Sequence, residues 1–240
     1  RQTTGHLHWP RWATYPRLVP LRMEFLPPVT YPPTMTPAEV TADIVGRIQI
    51  DPEAHLAPRT SWGFRLAEGL PEFLWACPTC FEMDGLGIAP ASGRNGVVVC
   101  RACERRWTVD LSCRLHPGDG GPPQTVAAAH VRILEHFGAL PAADRDRFVQ
   151  TGVALDGTVD LLIVTRGVRK AATLGAGVLQ LSRHGLSFGS PSDVASVEIP
   201  FSAVKAVLIQ LGDLLQVITH ETAYQIQPAR QSRFLWKHFI

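Results

Sequence analysis

Long apolar runs are missing from this 240-residue sequence. No stretch of about 18 consecutive apolar residues occurs, which excludes a membrane-spanning helix. No charged segment followed by an apolar core opens the chain, so no signal peptide is expected. Excess charge is missing too. Lys and Arg number 23 against 21 Asp and Glu, a net charge of +2, which implies no strong polyanion partner. P-loop, dinucleotide-binding and zinc-protease motifs are absent. Cysteine is scarce and odd in number, five in all. A secreted disulfide scaffold is shorter and evenly paired, so a reducing compartment with thiolates on metal fits better. What remains is ordinary globular material, 45% hydrophobic and 18% charged.

Four of the five cysteines carry the strongest signal. Cys77-Pro78-Thr79-Cys80 and Cys100-Arg101-Ala102-Cys103 are two Cys-x-x-Cys pairs at the spacing of a four-cysteine zinc site. Each pair forms a knuckle that presents two sulfurs to one point, and two knuckles complete a tetrahedron with no position left for water. The expected role of Zn2+ here is therefore structural. Gly93-Arg94-Asn95-Gly96 signals a hairpin turn between the knuckles. Val97, Val98 and Val99 follow as a strand, and Trp107 and Val109 alternate with Arg106 and Thr108 after the second knuckle. This order is that of a zinc ribbon. A redox role would need a pair at a helix N-terminus, which neither has. Cys113 reads as a small buried residue or a bystander.

Around the cysteines, periodicity places the other elements. Leu21, Met23 and Phe25 alternate with Arg22 and Glu24 as in a half-buried strand. Thr36, Pro37 and Glu39 open a helix with a capping box, whose buried face is expected at Val40, Ile44 and Ile48. Residues 51–60 read as a linker and residues 62–75 as mixed, with a short helix carrying Trp62, Phe64 and Leu66. Residues 117–123, with three glycines, mark a boundary. Thr125 caps a second helix with Val126, Val131, Leu134 and Phe137 on its apolar face. From residue 160 onward, seven short apolar runs (161–164, 178–181, 186–188, 194–199, 204–209, 214–218 and 224–226) are separated by turn residues. They predict an antiparallel sheet folded as a small barrel or sandwich. A last helix carries Phe234, Leu235, Trp236 and Phe239.

Three further patterns invite chemistry. Gly185-Leu186-Ser187-Phe188-Gly189 matches the nucleophile elbow, but a loop follows where the elbow needs a helix, so Ser187 reads as a strand residue. His130 and Glu135 stand five positions apart on a helix, about 140° around its axis, and read as solvated residues. Trp9, Trp12 and Tyr15 lie among His6, His8, Arg11 and Arg17. Interleaved aromatic and basic residues can bind nucleic acid or an anionic membrane, or pack on a neighbouring domain.

Residues 15–29 (YPRLVPLRMEFLPPV), with Trp9-Pro10-Arg11 before them and the capped helix after them, resemble the C-terminal end of the lysophosphatidate (glycerol-phosphate) acyltransferase family. The order that follows resembles bacterial proteins in which such a domain precedes a zinc ribbon and a PH- or GRAM-like β-domain. The resemblance implies acyl transfer from a thioester donor to a lysophospholipid at the cytoplasmic membrane surface. The family's catalytic motif is His-x-x-x-x-Asp, and no histidine here has Asp five positions later. No catalytic residue is therefore carried over, and the resemblance implies the back end of a longer enzyme.

The expected fold class is α+β, in four parts. Residues 1–60 would end an α/β acyltransferase domain and 61–118 form a zinc ribbon. Residues 119–160 would connect by a helix to a small antiparallel β-barrel or sandwich with a C-terminal helix, 161–240. The expected metal ligands are Cys77, Cys80, Cys100 and Cys103. The competing expectation is a non-enzymatic adaptor that binds protein, or nucleic acid through Arg101, Arg105, Arg106 and Arg114.

Overall fold

The structure, a computed structural model, describes residues 3–51, 56–90, 93–140, 157–165, 171–182, 184–189, 196–210, 214–228 and 231–240. It is a mixed helix-and-sheet fold in two compact units. One comprises Arg1–Leu70 with Gly87–Ala128, the other Pro71–Leu86 with Ala129–Ile240.

A short helix α1 (Gly5–His8) opens the chain. The strand expected over residues 21–25 is reduced to a single bridge position at Met23. Leu21, Met23 and Phe25 are 53%, 69% and 91% exposed, so their alternation does not correspond to a buried face. Helix α2 (Pro37–Ile48) starts where its capping box placed it. The Thr36 hydroxyl accepts from Glu39 N and the Glu39 carboxylate accepts from Thr36 N. Its expected buried face, however, covers nothing, since no residue of α2 is buried and Ile44 and Ile48 are exposed. Trp62, Phe64 and Leu66 precede the short helix α3 (Leu70–Leu74) and are not helical: Trp62 is bridged to Leu18, Phe64 lies in a bend and Leu66 in a turn.

Five strands then form one sheet in chain order: β1 (Leu86–Ile88), β2 (Val98–Cys100), β3 (Arg106–Val109), β4 (Arg114–Pro117) and β5 (Gln124–Thr125). Leu86, Val98, Cys100, Trp107, Val109 and Leu115 are its buried side chains. The glycine-rich stretch 118–123 is the hairpin loop between β4 and β5. An unusual centre holds the N-terminal segment to this sheet. Arg17 is 1% exposed, and its guanidinium donates to the carbonyls of Leu66, Asp110 and Leu111.

Helix α4 (Val126–Gly138) begins with the Thr125 hydroxyl accepting from Ala128 N. Its buried residues are Val126, Ala129, Ile133 and Phe137. Val131, expected on that face, is 49% exposed. The observed set follows the 3, 4, 4 steps of a helix stripe more closely than the expected one.

The remaining strands are β6 (Gly157–Thr165), β7 (Ala171–Ser182), β8 (Gly185–Gly189), β9 (Ser196–Pro200), β10 (Val204–Gln210), β11 (Leu214–Thr219) and β12 (Thr222–Pro228). They pair antiparallel in the order β10-β11-β12-β6-β7-β8-β9. No ladder joins β9 to β10 among the described residues, so the sheet is open and the expected barrel is not closed. Gly177 lets the backbone pack here, because a Cβ would lie 2.5 Å from the Phe188 ring and from the Gly189 carbonyl. Helix α5 (Arg233–Phe239) follows, its N-terminus capped by Ser232 and its Leu235 and Trp236 fully buried. In the same unit Trp75 stacks on His238 at 5.1 Å and meets Phe137 at 4.8 Å. Arg233 pairs with Glu72.

Candidate metal centre

The Sγ atoms of Cys77, Cys80, Cys100 and Cys103 all lie within 4.8 Å of one another. Four thiolates at about 2.3 Å from one ion have sulfur–sulfur separations of about 3.8 Å, so this donor set fits a tetrahedral metal. Cys77 and Cys100 are buried, Cys103 is half-buried and Cys80 is exposed.

The two knuckles have the same backbone construction. Cys77 N donates to Glu82 O at 3.0 Å, and Phe81 N returns to Cys77 O at 3.0 Å. Cys100 N donates to Arg105 O at 2.9 Å, and Glu104 N returns to Cys100 O at 2.9 Å. In each, the residue after the second cysteine is left-handed, φ 61° at Phe81 and 57° at Glu104. Non-glycine residues rarely adopt that conformation. Its occurrence twice, at equivalent positions, marks a turn whose shape is fixed by the need to aim two sulfurs at one point. Thr79 N also points at Cys77 Sγ, 3.4 Å away, a donor that favours a thiolate.

The hairpin expected between the knuckles is present. Gly93 and Gly96 both have φ 76°, as the turn requires. Arg101, Arg105 and Arg106 of the second knuckle and β3 are exposed, and Arg105 lies 3.8 Å from Asp119. A divalent metal with four thiolates would carry a net charge of about −2, which neighbouring arginines would offset.

Cys113 stands outside the cluster. It occupies the β3–β4 turn with φ 61°, and Arg17 Nη1 lies 3.3 Å from its sulfur. Burial pushes its thiol up to about 11, against the opposing pull of Arg17. Arg17 was grouped with surface basic residues in the sequence; its burial removes it from any such patch. Its own ionisation is lowered by burial, with Cys113 and Asp110 opposing.

The other candidates fall as follows. Ser187 lies within β8, in register with Gln180 and Glu198, which is a ladder position and not a strand-to-helix turn. Residues 190–193 after it lie outside the described residues. His130 is not solvated: it packs on Phe73 at 4.7 Å, and burial lowers its pKa, with His238 and Lys237 adding to the effect. Glu135 is exposed. Trp9, Trp12 and Tyr15 each have a partner of their own. Trp9 Nε1 donates to Ala13 O, Trp12 lies by the Arg17 guanidinium, and Tyr15 stacks on Phe64.

Comparison with known proteins gave no match to a family model, a curated protein or a solved structure. The acyltransferase resemblance therefore rests on the sequence stretches quoted above, and the PH- or GRAM-like one on the order of strands and a final helix containing Leu235-Trp236-Lys237. No helix among the described residues is long and apolar enough to cross a membrane.

Proposed function

We propose that Cys77, Cys80, Cys100 and Cys103 hold one structural Zn2+, and that this chain is a zinc-stapled binding module and not a catalyst. The observation that carries the reading is the convergence of four sulfurs within 4.8 Å on two matched knuckles. Tetrahedral four-sulfur sites take zinc or iron, and a closed set of four protein ligands leaves no position for a substrate. The test is metal content and thiol titration on the reduced, purified chain. One zinc per chain is expected, with four thiols released by a chelator. A folded protein with no metal and five reactive thiols, or one carrying iron, overturns the assignment.

A second reading concerns the wider role. The module would be the accessory portion of a phospholipid-synthesis acyltransferase, peripheral to the cytoplasmic face of a membrane, with the thioester and lysophospholipid bound elsewhere. Apolar exposure favours it: Phe25, Met23 and Leu21, within the stretch that resembles the family, stand in solvent with Ile44 and Ile48 of α2. Surface of this kind marks a partner. A His-x-x-x-x-Asp about one domain upstream in the same reading frame supports this role, and a start codon at or near Arg1 overturns it.

A further inference from the structure

Away from the cysteines, the first unit carries a row of rings and guanidinium groups. Arg94 lies over the Trp62 ring, 4.4 Å from its centroid. Trp62 meets Phe64 at 5.5 Å, Phe64 meets Tyr15 at 5.0 Å, and Arg65 lies over Tyr15 at 5.3 Å. The sequence is Arg94, Trp62, Phe64, Tyr15, Arg65: three aromatic residues closed at each end by a cation. Trp62 is 43% exposed and Tyr15 38%.

The row stands on paired backbone. Leu18 and Trp62 exchange hydrogen bonds of 2.8 and 3.0 Å. Arg65 N donates to Arg94 O, and Ala67 N to Asn95 O. Arg65 is left-handed, φ 52°, and its Nη1 lies 3.2 Å from the Tyr15 hydroxyl. Beside Arg94 opens a groove of about 500 Å³ whose lining includes Gly63, Asn95 and Thr108, which offer an amide and a hydroxyl. Glu68 pairs with Arg65, whereas no carboxylate among the described residues pairs with Arg94.

We infer that this row binds single-stranded nucleic acid, the bases stacking on the exposed rings and the phosphates meeting Arg94 and Arg65. Exposed rings on a rigid support suit a flat π-faced ligand, and cations at both ends suit a ligand with alternating anionic charge. In a duplex the base faces are already stacked, so an unpaired strand is the form that fits. Two arginines and a nearly neutral chain give a weak, salt-sensitive site. The inference supplies a partner class for the binding-module reading but uses none of the metal ligands, so the two can fail separately.

The test is fluorescence anisotropy of a labelled oligothymidylate with the full, metal-loaded chain at low salt. Trp62→Ala is expected to weaken binding about tenfold or more, and Trp62→Phe, which keeps a ring, to retain most of it. Should Trp62→Ala fail to fold, Arg94→Ala in the exposed turn serves. It should flatten the dependence of log affinity on log salt by about 0.7. Absence of binding by a chain that holds its metal overturns the inference and leaves the metal assignment standing. Equal affinity for duplex, or binding unchanged in Trp62→Ala and Arg94→Ala, overturns it as well.

Discussion

The strands of the five-stranded sheet are two to four residues long, and those of the seven-stranded sheet run from five to twelve. Short strands make few ladder bonds and cover little apolar surface, so they need additional cross-links. The first sheet has them in kind: four converging thiols in and near it, and an arginine buried among backbone carbonyls. The second has long ladders and α5, whose Leu235 and Trp236 are fully buried. One region is held by a few strong polar contacts and the other by many weak apolar ones. The first should fail abruptly when one contact is removed, and the second gradually.

Loss of the proposed zinc centre is the severest way to break that contrast. Structural zinc sites of this type contribute about 10–16 kcal/mol of binding energy. Cys100→Ser should therefore abolish amide-exchange protection over β2 and β3 while β11 and β12 stay protected. Simultaneous loss in both sheets would show that the contrast is false. Trp236→Ala attacks the other side. Truncation of a fully buried tryptophan costs about 3–5 kcal/mol, read by urea unfolding, and should leave zinc content unchanged. Arg17→Ala removes the donor to three carbonyls and should cost about 2–3 kcal/mol. Arg17→Met, similar in bulk, should cost less if packing matters more than those bonds.

A pH titration sharpens the comparison. Burial lowers the pKa of His130 and of His238, both in the unit that carries the seven-stranded sheet. Their folded-state values lie below the unfolded value of about 6.5, so the unfolded chain binds protons more readily. Stability is fully present above about pH 6.5 and declines as the pH falls through the lower folded values. Melting temperature measured against pH should show this decline, and His130→Asn should reduce it. The smallest effect belongs to α2. Thr36→Ala should cost that helix about 1 kcal/mol, seen as faster exchange within α2 alone, because no residue of α2 is buried.

Local rules were legible in the sequence where chemistry is local. The Cys-x-x-Cys spacing placed the four sulfurs, Thr36 and Thr125 located two helix starts, and alternating apolar runs located all seven strands of the larger sheet. Burial was less legible, because periodicity shows which face is apolar but not whether anything covers it. Residues 21–25 and α2 have the right patterns and no cover. Arg17 was misread for the converse reason. Its burial depends on carbonyls at Leu66, Asp110 and Leu111, about 50 to 94 positions away, which no local pattern encodes. The left-handed turns at Phe81 and Glu104 carry no glycine to announce them. The ring row was hidden because Tyr15 and Arg94 meet Trp62 and Phe64 only through folding, although the Trp62-Gly63-Phe64 alternation was a clue.

An open sheet has two ends. At one, β10 carries a register shift between Val204 and Ala206, with Lys205 between them; at the other, β9 is five residues long, bears Glu198 and stops at Pro200. Unpaired strand edges are templates on which further chains can add, and growth by addition requires a flat, neutral, unbroken edge. A bulge with a lysine at one side and a carboxylate with a proline at the other deny that template in both directions. The consequence is colloidal: neither edge of this sheet offers a template for zipping edge to edge into fibres.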